Sequence, residues 1–264
     1  MTELLEDRST SRDTKEQSIR FESCPKRVRV RFAGVVVADS RRVLTMFETS
    51  HLPVYYFPIE DVRTDLTSKT GHSTRCAYKG DASYYSVTVG DKTAENAIWR
   101  YEAPLDTAPS ELAGRMAFYW GKMDAWFEED DEVYVHPRDP YKRIDVLNSS
   151  RHVQVHVAGE CVADTARPRL LFETNLPTRY YIPRLDVRLE LLERSPSSSR
   201  CPYKGVAEYF SVRIGENLVT DIVWSYPLPI PECPKIENLM CFYNEKVDIY
   251  VDGELIDRPS TPWS

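Results

Sequence analysis

The residues of this chain best suited to chemistry sit in one short block, and the block is written twice. "RCAYKGDASYYSV" begins at Arg75 and "RCPYKGVAEYFSV" at Arg200, 125 positions later. Each holds a thiol three residues before an ammonium: Cys76 with Lys79, and Cys201 with Lys204. A cation near a thiol stabilises the thiolate, which is the nucleophile of thiol and acyl transfer. Such chemistry also asks for a base and an orienting partner. No histidine is kept between the two copies: His51 and His72 face Leu176 or Pro177 and Ser197. The plainer reading is a turn entering a strand. Gly80 and Gly205 supply the special backbone angle, the cysteine packs as a small hydrophobe, and the lysine points outward.

Other polar and aromatic residues recur at the same offset. Glu48 and Glu173 lie between Phe and Thr on an apparent strand, where a carboxylate serves as general acid or base or braces a neighbouring cation. Asp39 and Asp164, with Arg42 and Arg167 close behind, read as turn and bracing residues. Trp99 and Tyr101, Trp224 and Tyr226, and the pairs Tyr55-Tyr56 and Tyr180-Tyr181 give each copy a store of rings for a core or for a cleft that takes a flat or cationic ligand. His152 and His156 share a strand face that carries Arg27 and Arg31 in the first copy, so they read as exposed residues and not as metal ligands.

The six cysteines form no Cys-x-x-Cys pair, and only Cys76 and Cys201 correspond between copies. Reduced thiols in a cytoplasmic protein are expected, with no bound metal and no cofactor. The net charge of −7 and scattered basic residues argue against nucleic acid as a partner. No apolar run reaches the roughly 18–20 residues of a membrane span, and no signal peptide opens the sequence.

The elements that must position these groups are also repeated. "AGVVVADSRR" from Ala33 matches "AGECVADTAR" from Ala158, and "MFETSHLPVYYFPIEDV" from Met46 matches "LFETNLPTRYYIPRLDV" from Leu171. After Pro104 and Pro229 the register slips by one, and "MAFYWGKMDAWFE" aligns with "MCFYNEKVDIYVD". Alternation in "VRVRF" and "VQVHV" places Val28, Val30 and Phe32, and Val153, Val155 and Val157, on single strand faces. Each Trp-x-Tyr pair likewise shares a face. A helix is expected over "ELAGRMAFYW", capped by Ser110. Residues 1–26 are expected to be disordered, with the copies over 27–146 and 151–259 joined by "VLNSS".

With Cys-x-Tyr-Lys-Gly, Phe-Glu-Thr, Tyr-Tyr-x-Pro and the Trp-x-Tyr strand in this order, the chain resembles the domain of unknown function 427 family, also labelled nucleotidyltransferase-like. "RDPYKRIDV" from Arg138 is similar to the family's C-terminal signature, whereas the second copy ends in "VDGELIDRPSTPWS". The resemblance implies a mainly β chain: two tandem small domains of the β-tent, or Mss4-like, kind, each with at most one short helix. Relatives of that fold often hold structural zinc on paired Cys-x-x-Cys motifs, which this sequence lacks. The resemblance implies no reaction, and neither a Gly-Ser plus Asp-x-Asp pattern nor a phosphate-cradling loop is present.

The expected function is a binding module whose cleft takes a small molecule or peptide. Its residues would be Glu48, Cys76, Tyr78, Lys79 and Trp99 in the first copy, and Glu173, Cys201, Tyr203, Lys204 and Trp224 in the second. An enzyme using Cys76 or Cys201 beside its lysine, and a structural adaptor, are the alternatives.

Overall fold

The computed structural model describes residues 17–261 and 263–264. The chain divides into two units, Met1–Pro137 and Arg138–Ser264. The strands of the first are β1 (Ile19–Ser23), β2 (Val28–Phe32), β3 (Val35–Ser40), β4 (Leu44–Glu48), β5 (Val54–Pro58), β6 (Thr67–Cys76), β7 (Gly80–Val89), β8 (Lys92–Tyr101), β9 (Arg115–Phe118), β10 (Ala125–Glu128) and β11 (Asp131–Val133). Those of the second are β12 (Ile144–Asn148), β13 (Val153–Val157), β14 (Glu160–Thr165), β15 (Arg169–Glu173), β16 (Arg179–Ile182), β17 (Leu192–Cys201), β18 (Gly205–Ile214), β19 (Asn217–Ser225), β20 (Met240–Phe242), β21 (Asp248–Val251) and β22 (Glu254–Leu255).

Each unit holds one seven-stranded and one four-stranded antiparallel sheet. The large sheets run β1-β4-β5-β9-β8-β7-β6 and β12-β15-β16-β20-β19-β18-β17, and the small ones β11-β10-β2-β3 and β22-β21-β13-β14. The two orders are the same, strand for strand. Alternation along the large-sheet strands builds two apolar layers per unit. In the first unit Val28, Val30, Phe57, Ile98 and Phe118 fill the space between the sheets. Met46, Tyr56, Ala82, Tyr84 and Tyr101 form the layer on the other face of the large sheet, with Leu112 over them.

The structure redraws both domain boundaries. β1 lies inside the segment expected to be disordered; it pairs with β4, Ile19 opposite Glu48, because Ile19 and Phe21 alternate onto the outer apolar layer. Residues 1–16 lie outside the described residues. β12 pairs with β15 in the same way, Ile144 opposite Glu173, so Arg143–Val146, expected to close the first copy, open the second.

The helix expected after Ser110 is a 3-10 turn, Ser110–Leu112, followed by β9. Gly114 turns the chain at φ +70°, and β9 then fills the gap between β5 and β8, Ala117 standing opposite both Tyr56 and Trp99. Completing that sheet outweighs the modest local preference for helix. Among the described residues helix is confined to three-residue 3-10 turns, and none is long and apolar enough to cross a membrane.

Candidate functional site

The Cys-x-Tyr-Lys-Gly block is the three-residue turn between β6 and β7, with Cys76 opposite Gly80; in the second copy it joins β17 and β18, with Cys201 opposite Gly205. Gly80 has φ +100° and Gly205 φ +108°, a region side chains disfavour. A Cβ on Gly205 would also stand 3.2 Å from the Leu228 carbonyl oxygen. The close approach has a purpose: the amide of Leu105 donates to the Lys79 carbonyl at 3.2 Å, and that of Ile230 to the Lys204 carbonyl at 3.0 Å.

Held this way, the lysines point inward, against the outward direction expected for a simple turn. Lys79 is buried and its ammonium bonds Glu48 at the end of β4. Lys204 bonds Glu173 identically. In the first copy the second carboxylate oxygen of Glu48 accepts from the Gln17 amide at 3.2 Å. In the second, Glu173 meets another ammonium, Lys142, at 3.1 Å. A buried ion pair of this kind is costly to break by removing one member.

Above each pair stand the same rings. The Trp99 indole donates to the Tyr56 hydroxyl at 3.2 Å, and that of Trp224 to Tyr181 at 3.2 Å. Trp99 lies against Tyr119 with centroids 4.6 Å apart, and Trp224 against Tyr243 at 4.6 Å. In the first copy these rings and the ion pair border a cavity of about 760 Å³. All five residues expected there, Glu48, Cys76, Tyr78, Lys79 and Trp99, line it. So do residues sequence reasoning passed over: Val54, Tyr119, Trp120, Trp126 and His136. Trp120 and Trp126 stack at 4.2 Å. Val135, on the rim, has φ +73° in a tight turn closed by a His136-to-Tyr134 backbone bond of 2.9 Å. A β-branched residue in that region is strained, a condition that clusters at functional sites.

Burial, with the bond to Tyr84, pushes the Tyr119 hydroxyl up to about 12, and burial raises Tyr56 and Tyr101 too. All six cysteines are free thiols, and burial raises Cys24, Cys161, Cys233 and Cys241. Among the described residues no group of three or more His, Cys, Asp or Glu is arranged to hold a metal.

The second copy brings its five expected residues together but covers them. Tyr203 is 7% exposed where Tyr78 is 53% exposed, because its hydroxyl accepts from the Asp139 amide at 2.7 Å and Arg138 and Lys142 lie over its ring. The signature-like segment from Arg138 therefore serves the second copy. Arg179, on β16, takes the place of Val54. Its guanidinium lies 5.5 Å from the Trp224 ring and 5.9 Å from Tyr243, under Trp263 at 5.8 Å. It forms two bonds of 2.7 Å with Glu245, whose carboxylate burial alone would raise; Arg179 and the Thr261 hydroxyl instead hold it at about 2.

The remaining charged candidates are surface braces. Arg27 bonds Asp39 at 2.7 Å, Arg42 bonds Asp61 at 2.7 Å, and Arg167 bonds Asp186 at 2.9 Å. His152 is exposed and bonds Asp164, whereas His156, expected exposed, is half-buried with its ring 5.0 Å from Tyr250.

No curated protein matches the chain. The model of one family, described as a domain of unknown function (DUF427), matches residues 20–129 and again 145–253, each span opening at the strand that precedes its small sheet. With the same sheets, turn and ion pair in each span, the chain belongs to the DUF427 family and carries its domain twice.

Proposed function

We propose that the first copy is a binding site for a small molecule, and that the second keeps the same frame in a closed, structural form. The carrying observation is the cavity of about 760 Å³, walled by aromatic rings with the Glu48–Lys79 pair at its edge. It falls in the range of about 300–1,000 Å³ usual for ligand pockets, which are mostly apolar with a few placed polar groups. Thiol transfer is less well supported: the ammonium that would activate Cys76 is engaged by Glu48.

A thermal-shift screen of the full chain against a metabolite panel tests this. A ligand at a hundred times its Kd raises stability by about 2.7 kcal/mol. The shift is expected to vanish in Trp99→Leu and to persist in Trp263→Ala. A panel without hits, or hits indifferent to Trp99→Leu, would refute the reading.

A further inference from the structure

The second copy shows what its ring pair holds, and so what the first copy's lacks. The rings at the two sites are equivalent residues in equivalent geometry: Trp99 with Tyr119, and Trp224 with Tyr243, each at 4.6 Å. On the second pair sits a guanidinium from the chain itself, that of Arg179. On the first, the same backbone position carries Val54, which lines the cavity and brings no charge. The carboxylate partner is missing as well: Gly121 stands where Glu245 does, and a Cβ there would meet nothing within 4 Å. Tyr119 keeps Lys122 over it at 5.4 Å, as Tyr243 keeps Lys246 at 5.2 Å, so that cation is common to both copies.

The charges point the same way. The second site gathers three cations, Lys142, Lys204 and Arg179, against two carboxylates, Glu173 and Glu245. Apart from Lys122, which Lys246 matches in the second copy, the first has one of each, Lys79 and Glu48, with the neutral Gln17 in the place of Lys142. A single positive charge brought by a guest would give the first site the balance of the second. Aromatic faces attract cations through the ring quadrupole, most strongly for tryptophan.

From this we infer that the guest of the first cavity is a small monovalent organic cation, of the guanidinium or methylated-ammonium kind, seated on Trp99 and Tyr119 where Arg179 sits in the second copy. The inference rests on the reading of the cavity as a ligand site.

Titration calorimetry of the full chain with three probes tests it: butylguanidine for a guanidinium, choline for a methylated ammonium, and 3,3-dimethylbutan-1-ol as the neutral isostere of choline. At least one cation is expected to bind, with the isostere weaker by about threefold to thirtyfold, the range a cation–ring contact supplies. The double variant Val54→Arg/Gly121→Glu rebuilds the internal pair and is expected to weaken cation binding at least about tenfold. Should its circular dichroism show a misfolded chain, Trp99→Leu is expected to erase the preference for choline over the isostere. Isostere binding as tight as either cation, or cation binding that survives these variants, overturns the inference. If neutral or anionic compounds of the thermal screen bind with dependence on Trp99 while both cations fail, the inference falls and the binding site stands. If no compound of any charge binds, both fall.

Discussion

The first and second copies share a carboxylate, an ammonium, a tryptophan and a tyrosine in the same places, and differ in what lies over them. In the first, Val54, Gly121 and Gln17 leave a cavity beside the Glu48–Lys79 pair. In the second, Arg179, Glu245 and Lys142 extend the chain's own charges onto the same rings and the same carboxylate, and Trp263 caps them. The shared residues therefore define a frame, and the residues laid over it differ, among them Val54, Gly121, Gln17 and Trp120 in the first copy against Arg179, Glu245, Lys142 and Asn244 in the second. Retention of the frame in both copies is compatible with a folding role, since the buried ion pair ties the turn between β6 and β7 to the end of β4. What distinguishes the first copy is the space left in it.

The sharpest way to break the comparison is to undo the filling by halves. Arg179→Val alone leaves Glu245 buried without its cation, which is expected to cost about 3–5 kcal/mol in urea denaturation followed by tryptophan fluorescence. Arg179→Val with Glu245→Gly copies the first unit and is expected to recover at least about half of that loss. A single variant no less stable than the double one would show that the pair does not hold the filling in place.

Acid should open the second site. The Glu245 carboxyl is held at about 2, below its ordinary value of 4.5, so it contributes stability that is fully present above about 4.5 and lost as pH falls toward 2. The full shift corresponds to on the order of 3 kcal/mol. The Trp263 indole resonance, followed by NMR, is expected to move within that window; a position unchanged down to pH 2 would contradict the link between Glu245, Arg179 and the cap. The first copy has Gly121 at this place and no such transition.

The smallest effect separates the two ion pairs. Lys79→Met leaves Glu48 with only the Gln17 amide and is expected to cost about 3 kcal/mol. Lys204→Met leaves Glu173 with Lys142, and its cost in the same denaturation assay should be lower by about 1–2 kcal/mol. Equal costs would mean that Lys142 does not support Glu173.

The frame was legible in the sequence and the difference between the copies was not. Repetition exposed Glu48, Lys79 and Trp99 together, and strand alternation put Trp99 and Tyr101 on one face, where both contribute to the outer layer. Comparing copies for likeness draws attention to what they share, and so passes over 54 against 179 and 121 against 245, where in the second copy a strand residue meets a turn residue. Tyr119 was within reach, since Phe-Tyr recurs as Phe118-Tyr119 and Phe242-Tyr243. The strand Ile19–Ser23 was hidden because only two of its side chains, Ile19 and Phe21, join the apolar layer, and its pairing with β4 is made by backbone groups that composition does not report. The inward turn of Lys79 needed Leu105 to fix the lysine's own carbonyl, a contact between segments that spacing alone does not reveal.

β12 has a consequence for the chain as a polymer. Ile144–Asn148 is the outermost strand of its sheet and covers the backbone of β15, pairing all five residues from Arg169 to Glu173. It enters straight from the segment around Arg138, so strain or cleavage at that junction acts first on a single peripheral strand. Its detachment would bare the alternate amides and carbonyls of β15 that face it, beside Leu170 and Leu171, now almost wholly covered, and an unpaired apolar edge is a template for strands of other molecules. The strand that opens the second copy thus covers an apolar edge of its own sheet.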